Sequence, residues 1–205
     1  MAADFSRLTE TCQAIVSSAD IVHLDIMDGH FASPMTMGPH IVAAIRKLTP
    51  LPLDLHLMVE YPEEFLEVLR LAGADRIAVH WETCRDPWAV LGRIRDLGAL
   101  AGIAVTLETP ISVLRAVLPR ADYVVIVSVD LHGADHGFQP AAIEKIREVV
   151  GMRGDDSRPQ IAVDGAITPQ TAASVKKAGA DILIAGGAIF NGGNPQQAIH
   201  RLRDA

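Results

Sequence analysis

Short runs of apolar, β-branched residues alternate along this chain with stretches of helical spacing. The runs at 21–27 (IVHLDIM), 52–58 (PLDLHLM), 75–80 (DRIAVH), 101–107 (AGIAVTL), 122–129 (DYVVIVSV), 159–164 (PQIAVD) and 181–185 (DILIA) read as strands. Helical patterns occupy 4–18, 39–48, 62–72, 87–98, 110–118, 140–150, 168–178 and 195–204. Several open on a proline (Pro62, Pro87, Pro110, Pro140, Pro169), at the helix position where a missing N–H costs nothing. AGAD stands at 72–75 and again at 178–181, each time between a helix end and a strand, the mark of a repeated βα unit.

Strict alternation of strand and helix implies a parallel sheet with helices outside it. Two features favour a closed (β/α)8 TIM barrel over an open doubly wound sheet. Polar residues sit near the C-terminal ends of several strands (Asp25, His56, His80, Asp164), and no G-x-G-x-x-G turn opens a first helix. Only seven strands are visible, with a helix ahead of them. The expected fold is therefore a single α/β barrel domain over 1–205 that lacks the first strand, which would lie upstream of Met1.

The apolar alternation is broken in informative places. In the first strand His23, Asp25 and Met27 share one face, and in the second Asp54, His56 and Met58 do. Burying imidazoles and carboxylates is costly unless they are hydrogen-bonded, paired or bound to metal. With Asp164 at a third strand end, two histidines and two aspartates make a set suited to a divalent transition metal. A buried salt-bridge network would use the same residues. Met27 and Met58 read as core filler or as walls of that site, and His80 and Glu82 as supporting groups. Near the C-terminus, Gly165, Gly186 and Gly187 end two strands and lead into helical segments. Such turns serve either as tight connections or as a backbone-amide cup for phosphate, which needs no Lys or Arg.

Composition narrows the class. The chain has 205 residues, 49% of them apolar, and no apolar run approaches the ~18 residues that span a membrane. The opening MAADFSRLTE has no signal-peptide core, and two cysteines without metal-ligand spacing (Cys12, Cys84) read as free thiols of a reducing compartment. A net charge of −7 argues against nucleic acid. A cytoplasmic protein is expected, and a homo-oligomer.

HLDIMDGHF, LDLHLM and VDGAITPQTA followed by AGADILIAGGAIF, in this order and spacing, resemble ribulose-phosphate 3-epimerase and its pentulose- and hexulose-phosphate 3-epimerase relatives over nearly the whole chain. The resemblance implies a (β/α)8 barrel that inverts C3 of a ketose phosphate through a cis-enediolate, most directly D-ribulose 5-phosphate to D-xylulose 5-phosphate. By motif position, His23, Asp25, His56 and Asp164 match the family's ligands for a divalent metal ion (Zn, Fe(II), Mn or Co). Asp25 and Asp164 match its acid/base pair, and Met27 and Met58 the residues flanking the enediolate. The sequence departs from that pattern at the missing first strand, at Val127 and Thr106-Leu107, and above all at 130–140. There DLHGADHGFQP, with Leu131, His132, Ala134 and Asp135, replaces a glycine-rich phosphate loop. A weaker grip on phosphate is expected. An epimerase of another sugar and a non-catalytic ligand-binding relative are the competing readings.

Overall fold

The computed structural model describes residues 2–132, 136–153 and 158–205. Seven parallel strands form one sheet in chain order: β1 Val22–Met27, β2 Leu53–Met58, β3 Arg76–His80, β4 Leu100–Val105, β5 Tyr123–Val127, β6 Gln160–Asp164 and β7 Ile182–Ile184. Among the described residues β1 and β7 are not paired with each other, so the barrel is open along one seam. Around it lie α1 Leu8–Ile15, α2 Pro39–Arg46, α3 Leu66–Ala72, α4 Pro87–Asp96, α5 Ala141–Arg153, α6 Pro169–Ala178, α7 Gly187–Phe190 and α8 Pro195–Asp204. No described helix is long and apolar enough to cross a membrane.

The helix expected over 110–118 is instead two 3-10 segments, Ile111–Ala116 and Leu118–Arg120. Pro110 and Pro119 explain this. The second proline has no N–H to extend an α-helix and biases the residue before it away from helical dihedrals.

The outward faces of the strands bury Leu53, Leu55, Ile77, Val79, Ile103, Val124 and Ile126 against the helices. The inward faces carry small residues, Ala78, Ala104, Val125 and Ala162, around the one large ring of Tyr123. Gly102 makes room for that ring: a Cβ at position 102 would fall within the ring's van der Waals envelope.

At the N-terminal end of the barrel the AGAD repeat has a physical meaning. Asp75, just before β3, accepts the Leu53 N–H at 2.9 Å with its side chain, while its own N–H donates to the Leu53 carbonyl. Asp181 does the same to Ile161 and Asp122 to Ala101. Arg46 and Arg153, at the ends of α2 and α5, pair with Asp75 and Asp181. These clamps join β2 to β3, β4 to β5 and β6 to β7. The corresponding Asp20, before β1, pairs with Arg203 at 2.8 Å and its side chain is 84% exposed.

Candidate metal centre at the strand ends

The register of β1 and β2 sets Asp25 beside His56, two residue pairs above His23 and Asp54 and on the same face, and β6 delivers Asp164 to the same place. One ligand atom from each of His23, Asp25, His56 and Asp164 can be chosen so that all four lie within 4.8 Å of one another. His56 Nδ1 is 3.1 Å from Asp164 Oδ2 and 3.9 Å from Asp25 Oδ1; His23 Nε2 is 3.4 Å from Asp25 Oδ1 and 3.9 Å from Asp164 Oδ2. Metal bonds of about 2.1 Å put neighbouring ligand atoms roughly 3.0–3.4 Å apart, close to these separations. His23 Nε2 is buried, and among the described residues it makes no hydrogen bond; it faces the carboxylate oxygens of Asp25 and Asp164, so the space between them suits a cation or a proton. The donor set of two imidazoles and two carboxylates fits a divalent ion.

Buried groups beneath the centre orient its ligands. Asp54 accepts from His23 Nδ1 at 2.9 Å and from the Tyr123 hydroxyl at 2.5 Å. The Arg76 guanidinium lies 3.4 Å from Asp54 and 4.1 Å above the Tyr123 ring. Because an ionised carboxylate only accepts, Asp54 keeps the His23 proton on Nδ1 and turns the Nε2 lone pair toward the other ligand atoms. Burial pushes His23 toward neutrality, but the Asp25 carboxylate beside Nε2 and the hydrogen bond to Asp54 outweigh this and raise it well above the usual histidine range. Burial likewise pushes Asp25 up, yet the adjacent His23 and His56 hold it well below the usual carboxylate range. These are directions for the metal-free site; a cation would replace the protons.

The far side of His56 meets His80, whose Nε2 is 2.9 Å from His56 Nε2. Glu82 Oε2 lies 3.0 Å from His80 Nδ1. Burial drives His80 down to about 4, against the pull of Glu82. Burial would raise Glu82, but hydrogen bonds from His80, Thr109 and Thr106 bring it down to about 2.

Met27 and Met58 come together with Ala32, and Phe31 and Leu131 pack on them as an apolar shelf. Gly165 follows β6 with φ +114°, a backbone state that disfavours a side chain, and a Cβ there would also crowd Val129. Gly186 and Gly187 follow β7, the strand next to it, at the start of the four-residue α7. Leu131 and His132 from the divergent loop are described, whereas Ala134 and Asp135 lie outside the described residues. The sequence pattern flags His23, His56 and both aspartates as ligands but not the part played by Asp54. The signal available for it was its place on the same strand face as His56.

A cavity of about 650 Å3 is lined by His23, Asp25 and Asp164 of the candidate centre together with apolar residues such as Phe5, Leu8 and Ile199.

The Ribulose-phosphate 3 epimerase family model matches residues 1–190. A ribulose-phosphate 3-epimerase of Synechocystis is 42% identical, covering 100% of this chain and 91% of its own. The Bacillus subtilis ribulose-phosphate 3-epimerase is 35% identical over 99% of this chain and 95% of its own. The chloroplastic ribulose-5-phosphate-3-epimerase of Arabidopsis thaliana is 36% identical over 99% and 74%. Among solved structures, a tryptophan synthase α-subunit from Pyrococcus furiosus superposes with a TM-score of 0.71 at 17% identity, over 100% of this chain and 94% of its own. A 3-hexulose-6-phosphate synthase does so at 0.70 and 19%, over 96% and 92%. At such identities these two likenesses show the barrel-type fold alone.

Proposed function

The chain belongs to the ribulose-phosphate 3-epimerase family, and from that premise we propose that it interconverts D-ribulose 5-phosphate and D-xylulose 5-phosphate. The observation that carries this reading is the convergence of His23, Asp25, His56 and Asp164 within 4.8 Å at the strand ends. His23 and His56 would hold a divalent ion together with Asp25 and Asp164. When bound, such an ion supplies stabilisation of negative charge on two adjacent substrate oxygens.

The residues of the chain do the rest. A proton α to a ketone is weakly acidic, and inversion requires its removal from one face of C3 and the return of a proton to the other. Asp25 on β1 and Asp164 on β6 approach from different strands, so one carboxylate serves as base while the other, protonated, serves as acid. The roles exchange in the reverse direction. Met27 and Met58 would exclude water from the planar enediolate without adding charge. The N–H groups of Gly165, Gly186 and Gly187 would hold the phosphate. Leu131, which packs on the methionine shelf where the family pattern has proline or glycine, brings an apolar side chain to that region. A raised KM with kcat preserved follows, because the groups acting at C2 and C3 are unchanged.

The test is deuterium exchange at C3 in D2O, with Zn2+, Fe2+, Mn2+ or Co2+ supplied, together with a coupled assay for D-xylulose 5-phosphate. Exchange with at least one ion is the expected result. Its absence with all four overturns the proposal, and faster exchange from unphosphorylated ketoses would replace the phosphate reading with another sugar. We place the protein in the cytoplasm on the composition and the two free thiols. We also expect a homo-oligomer, for which the exposed Leu71 and Met35 offer apolar surface. Light scattering that returns only the 22.0 kDa chain would refute that.

A further inference from the structure

We propose that His80 and Glu82 form a positioning relay that fixes the proton of His56 on Nε2 and so frees its Nδ1 for the metal. The inference rests on the metal reading above and extends it to two residues outside the ligand set. Both histidines are completely buried. Their ring planes differ by 14° and their centroids are 4.9 Å apart. The Nε2 atoms are separated by only 2.9 Å, less than the ~3.5 Å of nonbonded contact, so the rings meet edge to edge in a hydrogen bond rather than face to face.

Two imidazole nitrogens can share a hydrogen bond only if one is a donor and the other an acceptor. Glu82 sets the direction. Its Oε1 accepts from the Thr106 N–H at 2.9 Å and from the hydroxyls of Thr106 and Thr109. Its Oε2 faces His80 Nδ1 at 3.0 Å. An ionised carboxylate has nothing to donate, so His80 carries its proton on Nδ1 and offers Nε2 as an acceptor. His56 must then donate from Nε2. The only ring position left to accept a metal is Nδ1, the nitrogen that faces Asp164 and Asp25. The Phe31 ring, 4.7 Å from His80 between centroids, packs beside the relay. Asp54 does the same for His23 from the opposite side, on the other nitrogen. The two ligands thus present different nitrogens to one point because different carboxylates hold their tautomers.

The test uses the full chain labelled with 15N-histidine. Long-range 1H–15N correlations in the metal-free protein should show His80 protonated on Nδ1 alone and His56 carrying a proton on Nε2. Zn2+ affinity, measured by chelator competition, should fall about 10–100-fold in His80→Leu. His80→Gln should stay within about threefold, because its carbonyl oxygen can stand where Nε2 stood. Glu82→Gln should fall between them, since its amide must turn an NH2 either to the Thr106 N–H or to His80. Thermal unfolding establishes that each variant folds; if His80→Leu does not, the tautomers and the two glutamine variants decide. Protonation of His80 on Nε2, wild-type affinity in Glu82→Gln or His80→Leu, or a loss in His80→Gln beyond about tenfold would each overturn the relay. A wild type that binds no Zn2+, Mn2+, Fe2+ or Co2+ overturns the metal reading and the relay with it. Tight binding by the wild type and undiminished binding by the variants overturn the relay alone.

Discussion

The middle of the sheet and its seam are built to different standards. In β5 every residue from Tyr123 to Val127 is at most 2% exposed, and in β4 Ala101, Ile103, Ala104 and Val105 are completely buried. Along the seam all three residues of β7 are half-buried, and the apolar residues of β1 keep 5–8% of their surface. The candidate chemistry follows the opposite gradient. β4 and β5 supply no ligand, whereas β1 supplies His23 and Asp25, and β2 and β6, one strand inward on either side, supply His56 and Asp164. Rigidity and reactivity have been given to different strands. The middle holds the curvature that brings the two edges face to face, and the edges hold groups that need an open cavity.

That division can be broken at its strongest point first. Asp25→Asn and Asp164→Asn should each lower kcat/KM by about 10^3-fold or more in the coupled assay, with thermal unfolding little changed. A substitution that destabilised the fold as much as a change in β5 would show that the seam carries structure as well. A matched pair comes next. Ile126→Ala in β5 should cost about 2–5 kcal/mol in urea unfolding, the range for a fully buried isoleucine that leaves a cavity. Ile184→Ala in β7, half-buried to begin with, should cost about half as much.

Smaller effects sharpen the comparison. Glu82, in the turn just after β3, has its carboxyl lowered from 4.5 to about 2 in the folded chain. As pH falls below about 4.5 the unfolded chain takes up a proton that the folded chain refuses. The stability Glu82 contributes is therefore complete above about 4.5 and lost as pH falls through about 2. Glu82→Gln should flatten the acid limb of the stability curve across that window, as followed by urea unfolding at successive pH values. Last, amide hydrogen exchange of β7 should be faster than that of β5, because β7 is short and, among the described residues, pairs with a strand on one side only.

Much of this architecture was legible in the sequence. Each strand is a short β-branched run, and the polar interruptions His23, Asp25, His56 and Asp164 stand out because strand geometry fixes their faces. Less legible was whatever depends on register across strands. The His56–His80 contact joins neighbouring strands whose sequences say nothing of their relative offset. Arg76, Tyr123 and Gly102 look unrelated along the chain, yet the missing side chain of Gly102 seats the ring that bonds Asp54, and Arg76 lies over that ring. The segment at 110–118 has helical spacing but too little length between its prolines to become an α-helix.

The aspartate clamps count the sheet in twos. β2 with β3, β4 with β5 and β6 with β7 are cassettes, each stitched by an aspartate at the foot of its second strand. Among the described residues there are three such cassettes, and β1 stands outside them. Asp20 stands where the fourth stitch would begin, its carboxylate turned outward to Arg203. A cut or an insertion after β3 or after β5 would fall between side-chain clamps, whereas one between β4 and β5 would fall inside one. The side-chain clamps thus group the strands in pairs, while the backbone of the same Asp75 and Asp122 carries the ladder on to β4 and β6.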